Sequence, residues 1–328
     1  MNINVILSGG VGSRLWPLSR RSMPKQYLPI FEGESLFEKT INRNLNLTDG
    51  IIVVGNIENT HLSKAIVERL GINPVSEIVE SHSRNTAAAI AFAAFSMDIQ
   101  DLLLVTPSDH VIEDVHEYER AVQDAFKLAA KGYLVTFGII PTRPEIGYGY
   151  VQAEGNDVID FHEKPYLEKA KEYVDLGDYF WNSGIFCFQA GVYLEELQKF
   201  RPDIFETCKA AYNKRKKDTI DKDLSAKIPP VSIDFAVMEK SNRIKMVKGS
   251  FEWSDLGSFE SLFDYFKGKS SYVQGTNLII AEDYVEVFGV EQMLIVQHKG
   301  ALLIMPIAES QEVKNIYNKL NRNNSNLL

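Results

Sequence analysis

Short apolar runs alternate with longer helical patterns through the first two thirds of the chain. The runs at residues 5–7, 51–54, 102–105 and 134–137 contain almost no polar side chains. Continuous apolar runs of this length are typical of strands that are buried on both faces, as in a parallel sheet. The pattern therefore predicts a central sheet that is covered on both sides.

Two segments between these runs have the character of helices. Residues 86–97 are alanine-rich and apolar nearly all round, which predicts a helix packed tightly against the sheet. Within 115–131, apolar residues such as Tyr118 and Val122 recur at helical spacing and predict an amphipathic surface helix. This alternation predicts an α/β, doubly wound domain, whose ligands bind beyond the carboxyl ends of the strands.

The pattern changes after about residue 270. Short strand-like runs occur at 277–280, 285–290, 294–296 and 301–305. We therefore predict two domains, a large one over 1–269 and a small β-rich C-terminal domain over 270–328. The polar tail from Asn321 is expected to fray.

Composition narrows the classes of partner. The chain has 328 residues and a net charge of −9, which argues against broad binding to nucleic acid or anionic lipid. Its two cysteines, Cys187 and Cys208, indicate neither a disulfide framework nor a thiolate zinc site. No apolar run approaches the roughly 20 residues that cross a bilayer, and the first run is too short for a signal peptide. A cytoplasmic location without membrane partners is expected, and a homo-oligomer is left open.

A glycine-rich segment, SGGVGSRLWPLSRRSMPK at residues 8–25, follows the first predicted strand. It is not a dinucleotide-binding fingerprint, because Leu15 stands where a third glycine is required. It is not a Walker loop either, because no Gly-Lys-Ser/Thr triplet follows. The segment must therefore be interpreted from its own residues.

Backbone N–H groups can approach an anion closely at Gly9, Gly10 and Gly12. Arg14 and Lys25 would add full positive charges beside them. The alternative is a tight strand-to-helix turn whose arginine and lysine are solvated. The loop alone leaves both interpretations open.

The loop and seven later segments resemble the sugar nucleotidyltransferases, and within that family the mannose-1-phosphate guanylyltransferases. The later segments are SRNTAAAIA at 83–91, TPSDH at 106–110, GYGYV at 147–151, FHEKP at 161–165, WNSGIF at 181–186, SIDFAVMEK at 232–240 and WSDLGS at 253–258. The resemblance covers roughly residues 1–266. Ser13 and His162 depart from the commoner threonine and valine, and neither departure alters a residue assigned to chemistry.

The resemblance implies a Rossmann-like nucleotidyltransferase domain and a specific reaction. Mannose 1-phosphate would attack the α-phosphorus of GTP, giving GDP-mannose and pyrophosphate. Such a displacement asks the protein mainly to position groups in line and to neutralise charge. The chain is too short for the isomerase domain of bifunctional members, so no isomerase activity is expected.

The resemblance also implies roles for four charged residues. Arg14 and Lys25 match the cationic pair for the triphosphate and its leaving pyrophosphate, whereas the adjacent Arg20 and Arg21 are expected to be flanking surface charges. Asp109 and Asp255 match the carboxylates that bind Mg²⁺, although Asp109 alone would be interpreted as a turn or capping residue.

The remaining site residues are also implied by the resemblance. Those for the nucleotide are Leu7, Gly9, Gly10, Gly12, Ser13, Asn85 and Ser108. Those for the sugar phosphate are Gly147, Glu163, Lys164 and Asn182. In an extended strand Glu163 and Lys164 would point to opposite faces, so a twist or bulge would be needed for both to face the site. A solvated ion pair is the alternative for these two residues.

Three other functions compete with this one. The same chemistry with a different nucleotide and sugar, such as thymidylyl or uridylyl transfer to glucose 1-phosphate, is the nearest. A catalytically silent, GDP-mannose-binding regulatory paralogue is disfavoured because Arg14, Lys25, Asp109 and Asp255 are all present. A nicotinamide-dependent oxidoreductase is disfavoured by Leu15.

Overall fold

The computed structural model describes residues 1–328 and contains fifteen strands and ten α-helices. The strands are β1 Asn2–Ser8, β2 Gly50–Asn56, β3 Ser76–Glu80, β4 Leu102–Pro107, β5 Val111–Ile112, β6 Leu134–Ile139, β7 Tyr150–Glu154, β8 Asp157–His162, β9 Tyr179–Gln189, β10 Ile244–Gly249, β11 Trp253–Ser254, β12 Val273–Gln274, β13 Asn277–Ile280, β14 Met293–His298 and β15 Ala301–Pro306. The α-helices are α1 Leu36–Asn44, α2 Thr60–Arg69, α3 Asn85–Phe95, α4 Val115–Ala129, α5 Leu167–Leu176, α6 Ala190–Phe200, α7 Pro202–Asn213, α8 Lys222–Ser225, α9 Phe259–Phe266 and α10 Val313–Arg322. None of these helices is long and apolar enough to cross a lipid bilayer.

The chain divides into two compact units. The larger unit comprises Met1–Gly9, Lys39–Ser108 and Ile112–Trp253. The smaller unit comprises Gly10–Glu38, Asp109–Val111 and Ser254–Leu328. The smaller unit thus takes in residues 10–25 of the glycine-rich segment as well as the C-terminal region. The C-terminal part of the smaller unit begins at Ser254. The sequence pattern predicts a domain boundary after residue 269, and that boundary stays a prediction.

A nine-stranded mixed sheet organises the larger unit, in the order β3-β2-β1-β4-β9-β6-β10-β8-β7. All four predicted strands are present, and β1 pairs in parallel with β2 and β4. The expectation of a parallel arrangement fails at β9, which runs antiparallel between β4 and β6. The α/β class is confirmed, while the strand directions are mixed.

Both faces of this sheet are covered, which explains the apolar runs in the sequence. Along β4, Leu103 and Val105 pack in the core that contains α3, whereas the intervening Leu104 packs in the core that contains α4. Successive strand residues point to opposite faces, so a strand buried on both sides needs an unbroken apolar run. The predicted helices correspond to α3 and α4, and residues 87–94 of α3 are all buried.

The smaller unit contains a four-stranded sheet in the order β12-β13-β14-β15. Three of the four runs predicted after residue 270 become β13, β14 and β15. The strand predicted over 285–290 is wrong, and Phe288 in this segment is 97% exposed. The reason is topological. β13 and β14 pair in parallel, so residues between them must cross over and cannot form a hairpin strand.

The C-terminal residues also differ from expectation. Helix α10 continues to Arg322 and buries Val313 and Tyr317. Beyond it, the Trp16 indole Nε1–H donates to the Leu327 carbonyl at 3.0 Å, and Leu327 packs against the core of the smaller unit. The tail predicted to fray from Asn321 is therefore held by a helix and by an apolar anchor.

We predict a pH-dependent stability effect at Glu80, which ends β3 and is 4% exposed. Burial raises the pKa of Glu80 to about 8, against an opposing hydrogen bond from the Arg84 backbone. Above the unfolded pKa of about 4.3 the unfolded chain loses this proton, while the folded chain keeps it until about pH 8. Stability therefore falls across this interval, with a slope approaching about 1.4 kcal/mol per pH unit.

The variant Glu80→Gln removes this loss. The melting temperature of the variant minus that of the parent protein should increase as pH rises from 5 to 8 and should stay constant above pH 8. Glu77→Gln on the same strand is the control, because the Glu77 carboxylate is paired with Lys64 at 2.7 Å. A Glu80→Gln difference that does not vary with pH would contradict the assignment.

Candidate active site

The glycine-rich loop is shaped by close packing around Gly12. Gly12 has a φ of 73°, and a Cβ placed there would lie 2.5 Å from the Lys25 Cβ. Only glycine fits this position, because the side chain of Lys25 occupies the space. The Gly12 carbonyl accepts from the Leu15 N–H, and the Val11 carbonyl accepts from the Lys25 N–H. These two hydrogen bonds hold the loop in its turn.

Lys25 brings three of the predicted site residues together. Its side chain is almost completely buried, and its Nζ lies 2.7 Å from Asp109 Oδ2. The same Nζ donates to the backbone carbonyl of Asp255 at 2.5 Å. These residues are far apart in the sequence, and the ammonium group of Lys25 is the point at which they meet.

The charge of Asp109 depends on this contact. Burial opposes ionisation of Asp109, but the positive charges of Lys25 and His110, together with the hydrogen bond from Lys25, outweigh it and hold the pKa below its ordinary value. His110 Nε2 is 3.7 Å from Asp109 Oδ1. Asp109 is therefore a carboxylate at neutral pH, which is the form that binds a metal ion.

The second carboxylate, Asp255, is fixed by its own turn. Its Oδ1 accepts from the Gly257 N–H at 3.0 Å. A Cβ on Gly257 would lie 2.5 Å from Asp255 Oδ2, so the glycine leaves room for the carboxylate. No group of three or more His, Cys, Asp or Glu side chains in the chain is arranged to hold a metal ion. Carboxylate oxygens are nevertheless the kind of ligand that a divalent metal ion takes together with phosphate and water.

The three arginines of the loop have different environments. Arg14 is exposed on the short 3₁₀ turn Ser13–Leu15. Arg21 is also at the surface, as expected, and donates to Asn321. The expectation that Arg20 lies at the surface is wrong, because it is buried and donates to the carbonyls of His298 and Lys299. Arg20 therefore fixes the turn between β14 and β15.

A second group of predicted residues lies in the larger unit, around Asn182 on β9. The Asn182 N–H donates to the Gly149 carbonyl at 2.8 Å, and its Nδ2 donates to Asp234 Oδ1 at 2.9 Å. A Cβ on Gly149 would lie 2.7 Å from Glu163 Oε2 and 3.5 Å from the Asn182 Cβ. Glu163, Asn182 and Asp234 therefore converge beside Gly149.

Glu163 and Lys164 do not form an extended strand. Strand β8 ends at His162, and Lys164 adopts a φ of 42°, which turns the chain. The two side chains form an ion pair with each other. The geometric problem expected for a strand does not arise, and both roles remain open to these side chains.

Four other predicted residues lie at three places in the larger unit. Leu7 and Ser108 are neighbours at adjacent strand ends, since the Ser108 N–H donates to the Leu7 carbonyl at 3.1 Å. Asn85 begins α3 with a φ of 66°. Gly147 uses its N–H within its own turn, where it donates to Glu145 Oε1 at 2.9 Å. The close-approach glycine in the group around Asn182 is Gly149.

Sequence reasoning missed Thr136, Gly149 and Asp234. Gly149 lies in the segment GYGYV and Asp234 in the segment SIDFAVMEK, so the resemblance includes both residues without assigning either a role. Their contacts with Asn182 join elements far apart in the chain, and the pattern of a single sequence does not reveal such pairs. Thr136 lies in an apolar run, which indicates only that it is part of a strand.

Comparison with known proteins gives a consistent family. The nucleotidyl transferase family model matches residues 3–271. The chain is 40% identical to a mannose-1-phosphate guanylyltransferase from Salmonella muenchen, over 99% of this chain and 74% of that protein. It is also 40% identical to the xanthan biosynthesis protein XanB from Xanthomonas campestris pv. campestris, over 96% of this chain and 72% of that protein.

A solved structure extends this likeness to the fold. A Thermus thermophilus protein described as a mannose-1-phosphate geranyltransferase superposes with a TM-score of 0.84. The two chains are 29% identical, and the match covers 98% of this chain and 99% of that one. Family match, sequence identity and fold agree, and this chain belongs to the nucleotidyl transferase family.

Proposed function

We propose that this protein is a mannose-1-phosphate guanylyltransferase, which joins GTP and mannose 1-phosphate to give GDP-mannose and pyrophosphate. The observation that carries the chemistry is the buried Lys25 ammonium in contact with both Asp109 and Asp255. The choice of substrates is supported by the name of the relative that is 40% identical over 99% of this chain.

The proposed reaction is a single displacement at phosphorus. A phosphate oxygen of mannose 1-phosphate forms a bond to the α-phosphorus of GTP. The bond from that phosphorus to the oxygen bridging the β-phosphate breaks, and pyrophosphate leaves with the electron pair. The attacking phosphate is already ionised at neutral pH, so no general base is required. The protein has to align the two substrates and neutralise their charge.

The glycine loop and the residues around Lys25 suit the triphosphate. The N–H groups of the glycine loop suit phosphate oxygens, and the exposed Arg14 guanidinium suits bidentate contacts with them. Lys25 supplies a point charge beside the loop. Bound Mg²⁺ would be held by Asp109 and Asp255, and it would neutralise negative charge on the phosphates.

The residues around Asn182 suit the sugar phosphate. Glu163 would accept hydrogen bonds from sugar hydroxyls, and Lys164 would contact the sugar phosphate. Asn182 would contribute its side-chain amide. Lys164 is 58% exposed despite its ion pair with Glu163, so its ammonium is accessible to a phosphate.

Pyrophosphate release with each pairing of nucleotide and sugar phosphate tests the proposal. GTP, UTP and dTTP are each combined with mannose 1-phosphate and glucose 1-phosphate. We expect GTP with mannose 1-phosphate to exceed every other pair by about tenfold or more in kcat/KM. Faster turnover of glucose 1-phosphate with UTP or dTTP would transfer the assignment to those substrates. Binding of GDP-mannose with no turnover of any pair would indicate a silent regulatory protein.

The metal assignment gives a separate prediction. Asp109→Asn and Asp255→Asn keep the size of each side chain but remove the charge that Mg²⁺ requires. Each should raise the Mg²⁺ concentration for half-maximal rate at least about tenfold, the lower end of the cost of losing a supporting partner. Each should also lower the rate at saturating Mg²⁺. Asp264→Asn, an exposed position on α9 in the same unit, is the matched control.

The double variant distinguishes a shared ion from independent roles. If both aspartates hold one ion, the loss in the double variant should be far smaller than the product of the two single losses. A loss equal to that product would show that Asp109 and Asp255 act independently.

A further inference from the structure

A line of side-chain hydrogen bonds crosses three elements of the larger unit and ends at Asp234. The Thr136 hydroxyl on β6 donates to Asn182 Oδ1 on β9 at 3.0 Å. The Asn182 Nδ2 then donates to Asp234 Oδ1 at 2.9 Å. Asp234 begins a π-helical turn over Asp234–Met238, and such turns are frequent at functional sites.

These contacts fix the orientation of the Asn182 amide. The Gly184 N–H also donates to Asn182 Oδ1, at 3.3 Å. A flipped amide would place its NH₂ group against the Gly184 N–H and its oxygen against the Asp234 carboxylate. Both contacts would be repulsive, so Gly184 specifies the position of the oxygen and Asp234 that of the nitrogen. One hydrogen of Nδ2 is used by Asp234, and the second remains as a donor of defined direction.

The charge on Asp234 is unfavourable where it lies. Burial and the negative charge of Glu163 both raise the pKa of Asp234, and the Glu163 carboxylate packs against Gly149 beside Asn182. Carboxylates placed near one another repel, so a neutral acceptor would hold the fold at a lower cost in free energy. Unfavourable electrostatics of this kind are typical of functional sites.

We propose that Asp234 is a positioning residue that locks the Asn182 amide with its nitrogen presented as a donor to the sugar phosphate. The inference rests on the proposed sugar-phosphate role of Asn182. Asp234 acts through Asn182 and does not itself touch the substrate. It therefore sets the affinity for mannose 1-phosphate without affecting the affinity for GTP.

Steady-state kinetics of Asp234→Ala test this role. The KM for mannose 1-phosphate should rise about tenfold, because Asn182 loses a charged hydrogen-bond partner, while the KM for GTP stays within about twofold. Asp234→Asn retains an acceptor oxygen and should raise the KM less than Asp234→Ala does. Asp223→Ala, at an exposed position on α8 in the same unit, is the matched control and should leave the KM for mannose 1-phosphate unchanged. Melting temperatures of all variants identify any that fail to fold.

A double-variant cycle separates positioning from direct contact. In an Asn182→Ala background, Asp234→Ala should cause no further rise in the KM for mannose 1-phosphate. An equal rise in both backgrounds would show that Asp234 contacts the sugar phosphate by itself and would overturn the inference.

Two further outcomes distinguish the inference from the proposed function. If Asn182→Ala raises the KM for mannose 1-phosphate and Asp234→Ala does not, the positioning role is wrong and the sugar-phosphate site stands. If Asn182→Ala itself leaves that KM unchanged, the sugar-phosphate role of Asn182 fails, and the inference fails with it.

Discussion

The buried ammonium group of Lys25 is the interaction on which the candidate site depends. A buried charge is costly unless it is paired and hydrogen-bonded, and here the partners are the Asp109 carboxylate and the Asp255 carbonyl. This requirement brings together residues that the sequence separates widely. It also requires Gly12, because any larger residue would collide with the Lys25 stem. A single charge therefore shapes the loop and holds Asp109 ionised.

Much of the fold could be predicted because burial leaves a direct mark on the sequence. A strand covered on both faces must be apolar at consecutive positions, and β1, β2, β4 and β6 all follow this rule. Strand direction leaves no such mark. The antiparallel β9 satisfies the same burial requirement as its neighbours, and the exposed crossover at 285–290 has the same residue types as a strand.

The candidate site shows the same division between local and long-range information. The charged residues Lys25, Asp109 and Asp255 were found because the sequence resembles a family whose motifs contain them. Asp234 was missed because its significance lies in one hydrogen bond to Asn182, across 52 positions of the chain. Arg20 was misjudged for a related reason: its partners are two carbonyls near residue 298, which no pattern around residue 20 discloses.

The pKa of Asp109 in the parent protein and in Lys25→Met, measured by carboxyl ¹³C NMR titration, tests the central claim most directly. Methionine keeps much of the apolar stem that packs against Gly12 but carries no charge. In the parent protein Asp109 should ionise below the ordinary aspartate pKa of about 3.9, and in Lys25→Met its pKa should rise, because burial is then opposed only by the charge of His110 and a backbone hydrogen bond. The same Asp109 pKa in both proteins would contradict the claim that Lys25 holds this carboxylate in its charged form.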